Sequence, residues 1–436
     1  MESLLDSLCP DCFQPGVKNG VCEKCGCHVS ALQQALILPP RTVLCNRYIL
    51  GILLGRGGFG ATYKAYDLEL QKICAIKEYL PRFVEVERLG DGKIRLPNLS
   101  DQSVYEREKK RFIKEAELQR RISWYPHIVP ILHSFAENNT YYYVMEFIDG
   151  KNLKQQVEET GTRFSVPKAV DLMIQLGTTL QEIYDREGLI HMDISPENIM
   201  VDRRGNYILI DFGNAKNTRV KQQVQIVGKR GYAPPEQYSD TMSQGSFTDA
   251  FSLASTFYFL VSGKTPSNAM ERMKGKAVCR PLNQVVNSVP QFVSDAVEHA
   301  MELDYKKRTQ SIRDFLFELH PPVRHGAGNE VGVIRVVSGG QAGQKWIVRD
   351  DGCTYYVGRD ETECSIVLHY EWISRRHFSI RFDSVEGIFR CEELSQNGTY
   401  MDGKYLNRQE FWATAGCTLQ FPETDCVLRL EVENEE

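Results

Sequence analysis

Gly55-Arg-Gly57-Gly-Phe-Gly60 runs directly into Ala61-Thr-Tyr-Lys-Ala-Tyr66, and Cys74-Ala-Ile-Lys77 follows. Glycine clusters of this kind serve two phosphate-binding designs. One opens a helix in dinucleotide-binding folds, and the other caps a β-hairpin laid over a nucleotide. Here the residues after the glycines read as a strand rather than a helix, which selects the hairpin. Backbone amides approach phosphates only where no side chain intervenes, which accounts for Gly55, Gly57 and Gly60. Lys77 then sits alone on the next apolar strand.

Three further motifs follow in order: His191-Met-Asp193-Ile-Ser-Pro-Glu-Asn198, Asp211-Phe-Gly213 and Ala233-Pro-Pro-Glu236. Phosphoryl transfer needs positioning and charge neutralisation more than covalent help, and this set supplies a base, hard oxygen ligands and a cation. Taken together, the five motifs resemble the eukaryotic-like (Hanks-type) Ser/Thr protein kinases of bacteria, across residues 47–319. The resemblance implies an α+β bilobal fold using ATP and magnesium. It implies nucleotide contacts from Leu54, Gly55, Gly57, Gly60, Ala75 and Lys77, and from the hinge residues Met145, Glu146 and Ile148. Lys77 would hold the α- and β-phosphates and pair with Glu115, in Arg111-Phe-Ile-Lys-Glu-Ala-Glu117. Asp193 would accept the substrate hydroxyl proton, and Asn198 and Asp211 would coordinate magnesium. Glu236 with Arg308, and Asp249 beneath the catalytic loop, look architectural. Tyr141-Tyr-Tyr-Val-Met145 reads equally as a buried strand.

The departures from that pattern carry information. Met192 stands where an arginine usually pairs with an activation-loop phosphate. Between Asp211 and Glu236 the only hydroxyls are Thr218 and Tyr232, so the usual phosphorylation switch is expected to be missing. Ser195 stands where such kinases carry a lysine for the γ-phosphate, whereas Lys229 occupies a position usually held by a small hydroxyl residue. The expectation is that Lys229 and Ser195 have exchanged roles, with a solvated Lys229 as the plain alternative. Ser195-Pro-Glu197 favours Ser/Thr acceptors in protein substrates over tyrosine. A reading from another class is a pseudokinase scaffold that binds nucleotide. Retention of Lys77, Asp193, Asn198 and Asp211 argues against it, because a scaffold has no use for a base and a metal pair.

Five of the 13 cysteines crowd into residues 9–27. Cys9-Pro-Asp-Cys12 and Cys22-Glu-Lys-Cys25 can each turn two thiolates toward one tetrahedral centre. The spacing resembles a zinc ribbon, with Cys27 and His28 as surplus ligands. A segment of 1–28 is too small to bury a core, so zinc would have to supply its folding energy. The other cysteines show no framework spacing and read as reduced thiols of a cytoplasmic protein.

After a breaker-rich linker at 320–331, which includes Pro321-Pro-Val-Arg-His-Gly-Ala-Gly328, short alternating segments suggest a β-sandwich over 332–433. Gly358-Arg359, Ser374-Arg-Arg-His377 and Ser395-Gln-Asn-Gly-Thr399 resemble the forkhead-associated (FHA) domain. That resemblance implies phosphothreonine binding by Arg359, Ser374 and Arg375, with Asn397 gripping the peptide backbone. His377 and Gly398 look structural.

The chain of 436 residues is therefore expected to be multidomain: a small zinc ribbon, a connector at 29–46, a kinase domain and an all-β FHA sandwich. Lys and Arg total 52 against 57 Asp and Glu, a net charge of −5, which gives no basic surface for nucleic acid. No apolar run approaches the roughly 18 residues of a membrane span. The longest candidate, Phe251 to Val261, is too short. Met1-Glu-Ser-Leu-Leu-Asp lacks the basic start of a signal peptide. The expected partners are protein substrates with Ser/Thr acceptors and phosphothreonine-bearing proteins.

Overall fold

Tyr48–Arg56 (β1) and Gly60–Asp67 (β2) form the hairpin read from the glycines, paired antiparallel from Tyr48 opposite Asp67 to Arg56 opposite Ala61. The computed structural model describes residues 7–29, 36–220, 228–239, 241–319 and 330–434, and element counts refer to these. Pro321–Gly328 lies outside them. The chain divides into two units, Met1–Lys151 with Met200–Ala215, and Asn152–Ile199 with Lys216–Glu436.

In the first unit the hairpin continues through Lys72–Tyr79 (β3) to Thr140–Glu146 (β5) and Ile131–Glu137 (β4), with β5 between β3 and β4. Gln102–Ile122 (α1) packs against the sheet, burying Tyr105, Phe112, Ala116 and Gln119 along one helical stripe. Successive residues of β3 face opposite sides. Ile76 and Glu78 are fully buried, whereas Lys77 between them points the other way. A buried carboxylate is tolerable only when paired and hydrogen-bonded. Glu78 receives the Tyr63 and Tyr142 hydroxyls, each at 2.7 Å, and Arg88 at 2.8 and 2.9 Å. Arg88 comes from a short ladder, Glu87–Arg88 with Ile94–Arg95, between β3 and α1.

The expected connector at 29–46 is part of this unit over its described residues. Val43–Leu44 pairs with Tyr48–Ile49 and extends the sheet, while Ile37, Leu38 and Leu44 are buried in its core. Such apolar residues stabilise by burial, by about 25 cal/mol per Å² of apolar area, which a free linker would forgo. The cysteine-rich segment also sits on this sheet. Pro10 accepts the Ile52 N–H at 2.9 Å, Asp11 binds Lys64 at 2.7 Å, and Leu8 accepts two bonds from Arg41. Gly51 permits the approach, since a Cβ there would stand 2.1 Å from the Pro10 oxygen.

The second unit holds Leu153–Thr160 (α2), Val166–Glu187 (α3), Ser246–Ser262 (α4), Gln291–Ala300 (α5) and Ile312–Leu319 (α6). Helix α4, the one with the longest apolar run, is buried on every side and is a core helix. Among the described residues no helix is long and apolar enough to cross a membrane. Residues 330–434 of this unit form a sandwich. One sheet joins Lys345–Val348 (β7), Glu330–Ser338 (β6), Val427–Asn434 (β16), Thr418–Gln420 (β15), Thr399–Met401 (β12) and Lys404–Leu406 (β13), in that order. The other joins Ile366–Val367 (β9), Tyr355–Gly358 (β8), Phe378–Asp383 (β10), Ile388–Glu393 (β11) and Glu410–Thr414 (β14). Inward side chains such as Ile334, Phe378, Phe389 and Leu428 fill the space between.

Candidate functional site

The alternation of β3 sends Lys77 to the open face, opposite Thr62 and Tyr143. Its ammonium lies 3.0 Å from Glu115 of α1 and 3.0 Å from Asp211. Tyr143 donates to the same Glu115 oxygen at 3.0 Å. Burial would lower the Lys77 pKa, but the Asp211 and Glu115 carboxylates outweigh it, so the ammonium stays charged. Glu115 is thus the carboxylate of α1 that Lys77 meets. Asp211 has φ of 66°, a left-handed conformation costly for a non-glycine residue, and its carboxylate also takes the Gly213 N–H at 3.2 Å.

Leu54, Gly55 and Gly57 are exposed near the hairpin tip, and Gly60 and Ala75 are buried below it. A Cβ on Gly55 or Gly57 would meet no protein atom within 4 Å, so the loop leaves room for a ligand. The Gly57 N–H itself closes the turn onto Gly60 at 2.9 Å. A register shift falls at Met145 near the end of β5, which closes on the exposed Glu146, with Ile148 half-buried beyond it.

In the second unit, the Asn198 amide donates to the Asp193 side chain at 3.0 Å and to its carbonyl at 2.8 Å. Met192 is held at φ of 68°, an unfavourable conformation for a side-chain-bearing residue. Asp249 supports it by accepting the His191 and Met192 N–H groups at 2.6 and 2.9 Å. Burial pushes the Asp249 carboxyl up to about 6, against the pull of those two amides. Gln237 donates to the Met192 carbonyl, a contact that Ala233-Pro-Pro-Glu236 did not foretell. Glu236 and Arg308 form a fully buried bidentate pair at 2.5 and 3.0 Å. Lys229 donates to Ser195 at 3.0 Å, so the two positions with unusual residues are in contact.

The Sγ atoms of Cys9, Cys12, Cys22 and Cys25 all lie within 4.8 Å of one another. Cys9 and Cys25 are 3.5 Å apart, and Cys12 and Cys22 are 3.7 Å apart. A tetrahedral zinc with bonds of about 2.3 Å has sulfur–sulfur edges of about 3.8 Å, so this donor set fits the ion. Cys27 is not in the group. All thirteen cysteines are free thiols.

In the sandwich, Arg359, Arg375 and Asn397 are exposed and Ser374 is half-buried, on three neighbouring loops. The Arg359 N–H donates to the Ser374 carbonyl at 3.1 Å and its guanidinium to the main-chain carbonyl of Glu371 at 3.0 Å, while the Asn397 amide donates to the Trp372 carbonyl at 3.1 Å. His377 fixes these loops. Its Nδ1 accepts the Ser374 N–H at 3.1 Å, and its Nε2 donates to the Gly398 carbonyl at 3.1 Å. Gly398 has φ of 71°, where a side chain would also strike Tyr405. Sequence reasoning missed Glu393, buried beneath the loops, which takes the Ser395 N–H at 2.8 Å and the Thr399 hydroxyl. It also missed Glu78. A carboxylate inside an apolar strand was the available signal there.

Residues 48–327 match the protein kinase domain family, and residues 355–422 match the FHA domain family. Serine/threonine-protein kinase B of Synechocystis sp. is 28% identical over 331 residues, covering 72% of this chain and 51% of that protein. A probable serine/threonine-protein kinase of Clostridium perfringens is 28% identical over 287 residues, covering 64% of this chain and 38% of its own length. The chain thus spans about half or less of these curated relatives. Among solved structures, the one titled "PpkA-294 apo form" superposes with a TM-score of 0.55 at 28% identity, covering 66% of this chain and all of that one.

His377 provides a pH test of the sandwich. Burial holds its ring below the ordinary value of 6.5, despite the Glu393 carboxylate 3.9 Å away. Below pH 6.5 the unfolded chain binds a proton that the folded one refuses, so stability must fall as pH drops. The unfolding midpoint of the sandwich, followed by tryptophan fluorescence, should decline between pH 7 and 5.5. His377→Gln should start lower and decline less, and an equal decline in both proteins would contradict this assignment.

Proposed function

The chain belongs to the protein kinase domain family, and on that footing we propose that it transfers the γ-phosphate of ATP to serine and threonine hydroxyls of proteins. Its FHA domain binds phosphothreonine segments of partners. The observation that carries the reading is Lys77 held at 3.0 Å by both Glu115 and Asp211. In this assignment the domains are a zinc ribbon at 1–28, the kinase at 47–319 and the FHA domain at 332–433.

Leu54, Gly55, Gly57, Gly60, Ala75, Met145, Glu146 and Ile148 surround the nucleotide, and Lys77 binds its α- and β-phosphates. Asp193 accepts the proton of the attacking hydroxyl, and the Asn198 amide keeps its carboxylate oriented. Asn198 and Asp211 would each offer an oxygen to magnesium, which would supply charge neutralisation at the phosphates. Lys229, standing on Ser195, provides the cation that Ser195 lacks. Cys9, Cys12, Cys22 and Cys25 would hold zinc, which would supply structural cross-linking. The residues between the first two cysteines, Pro10 and Asp11, grip both strands of the glycine hairpin, so the metal site steadies that hairpin. Arg359 and Ser374 bind the phosphate, with Arg375 beside them and Asn397 on the peptide backbone. A cytoplasmic setting suits thirteen free thiols.

Radiolabelled transfer to a protein acceptor tests the central reading. Asp193→Asn should lower the rate by roughly 10²–10⁴-fold, the usual worth of a positioned base. Equal rates would leave only a nucleotide-binding scaffold. For the FHA domain, Arg359→Ala should weaken binding of a phosphothreonine peptide by at least about 30-fold, since truncating one member of a charge pair costs roughly 2–5 kcal/mol. Unchanged affinity in a titration would remove Arg359 from the site. Metal analysis of the purified chain should find one zinc, absent from a Cys9→Ser/Cys22→Ser variant whose melting temperature is lower. Equal zinc content in both proteins would discard this ligand set.

A further inference from the structure

Glu197 lies between the base Asp193 and Asn198, and both of its carboxylate oxygens are engaged by cations. Lys154, in the first turn of α2, reaches one oxygen at 2.6 Å, and Lys229 reaches the other at 2.5 Å. Lys229 also donates to Ser195 at 3.0 Å. An isolated exposed ion pair is worth little, but these groups are only 29–39% exposed and form a network on one carboxylate. Burial would push the Glu197 carboxyl up, yet the bonds from Lys154 and Lys229 hold it below its ordinary value.

The geometry has a chemical consequence for Lys229. A free lysine loses about 2 kcal/mol of rotamer entropy when fixed, which one hydrogen bond to a neutral serine barely offsets. The second, charged bond to Glu197 offsets it. The main chain at Lys229 is also fixed, because its carbonyl accepts the N–H groups of Tyr232 and Ala233, each at 3.0 Å. Serine and Glu197 occupy two of the three ammonium donors, which leaves one for an anion. Lys154 balances the same carboxylate, so Glu197 does not cancel the charge that Lys229 offers.

We propose that Glu197 is a positioning residue for phosphoryl transfer, acting through Lys229. It fixes that ammonium on Ser195, two residues from the catalytic base, with encoded charges rather than an added phosphate. The proposal rests on the kinase reading and on the role given there to Lys229.

A double-mutant cycle on the full chain tests it, with steady-state transfer to a protein acceptor at varied ATP. Glu197→Gln and Lys229→Ala should each lower kcat about tenfold, the worth of one charge-assisted contact, with the KM for ATP within about twofold of wild type. The double variant should be no slower than Lys229→Ala alone, because Glu197 has nothing left to position. Glu197→Asp should recover part of the lost rate. Titration with a fluorescent nucleotide, giving wild-type affinity for Glu197→Gln, would show that the variant is folded. Unchanged kcat in Glu197→Gln, or losses that multiply in the double variant, would overturn the proposal while leaving the kinase reading intact. A wild-type rate no higher than that of Asp193→Asn would overturn both.

Discussion

One ammonium shared between two carboxylates organises the first unit. Lys77 touches Glu115 and Asp211 at 3.0 Å each, and each partner comes from a different part of the chain. Removing Lys77 would leave two carboxylates facing each other without their shared cation, which is strongly destabilising. Strand β3, helix α1 and the turn at Asp211 are therefore tied to one point. The strained φ of Asp211 persists because this contact and the Gly213 amide over-determine it. The opposite face of β3 repeats the logic with reversed sign, where a buried Glu78 is surrounded by Arg88 and two tyrosine hydroxyls. The strand is charged on both faces at adjacent positions, and the oppositely charged partners of each come from later in the chain.

How much of this was legible depended on whether a residue works through spacing or through long-range contact. The glycine hairpin, Lys77, Asp193, Asn198 and Asp211 were readable because local order and residue chemistry define them. The clustering of Cys9, Cys12, Cys22 and Cys25 was readable for the same reason. Arg88 was invisible, since nothing near it in the chain says that it reaches Glu78. Glu197 was visible only as part of a quoted motif, because its partners Lys154 and Lys229 lie 43 residues before it and 32 after it. In the sandwich, His377 was legible as structural, but Glu393 was not, because only the fold brings it beneath the loop of Ser395 and Thr399.

The connector was misjudged for a physical reason. Its Pro39-Pro40 pair reads as a breaker, and breakers suggest a boundary. The structure instead uses the turn to bring Val43–Leu44 back onto β1 and to bury Ile37 and Leu38. The cysteine cluster likewise bonds to this sheet. Its Pro10 carbonyl and Asp11 carboxylate complete bonds on β1 and β2, and Gly51 has no side chain so that they can. Lys64, held by Asp11, also lies 4.8 Å over the ring of Phe147, just past β5. The turn of Pro10 and Asp11 thus touches the hairpin and, through one lysine, Phe147.

The second unit shows how a motif can change residues and keep its physics. The loop from His191 to Asn198 still bends through a left-handed residue, although that residue is Met192. The bend depends on Asp249 beneath the backbone rather than on the side chain at that position. Since backbone amides make the contact, the side chain at 192 can vary without loss of the bend. Ser195 follows the same reasoning with a different partner. A short hydroxyl there leaves space, Lys229 enters it from another segment, and Glu197 supplies the charge that holds the lysine in place. In this loop the bend at Met192 and the ammonium at Ser195 are both supplied from other segments, by Asp249 and Lys229.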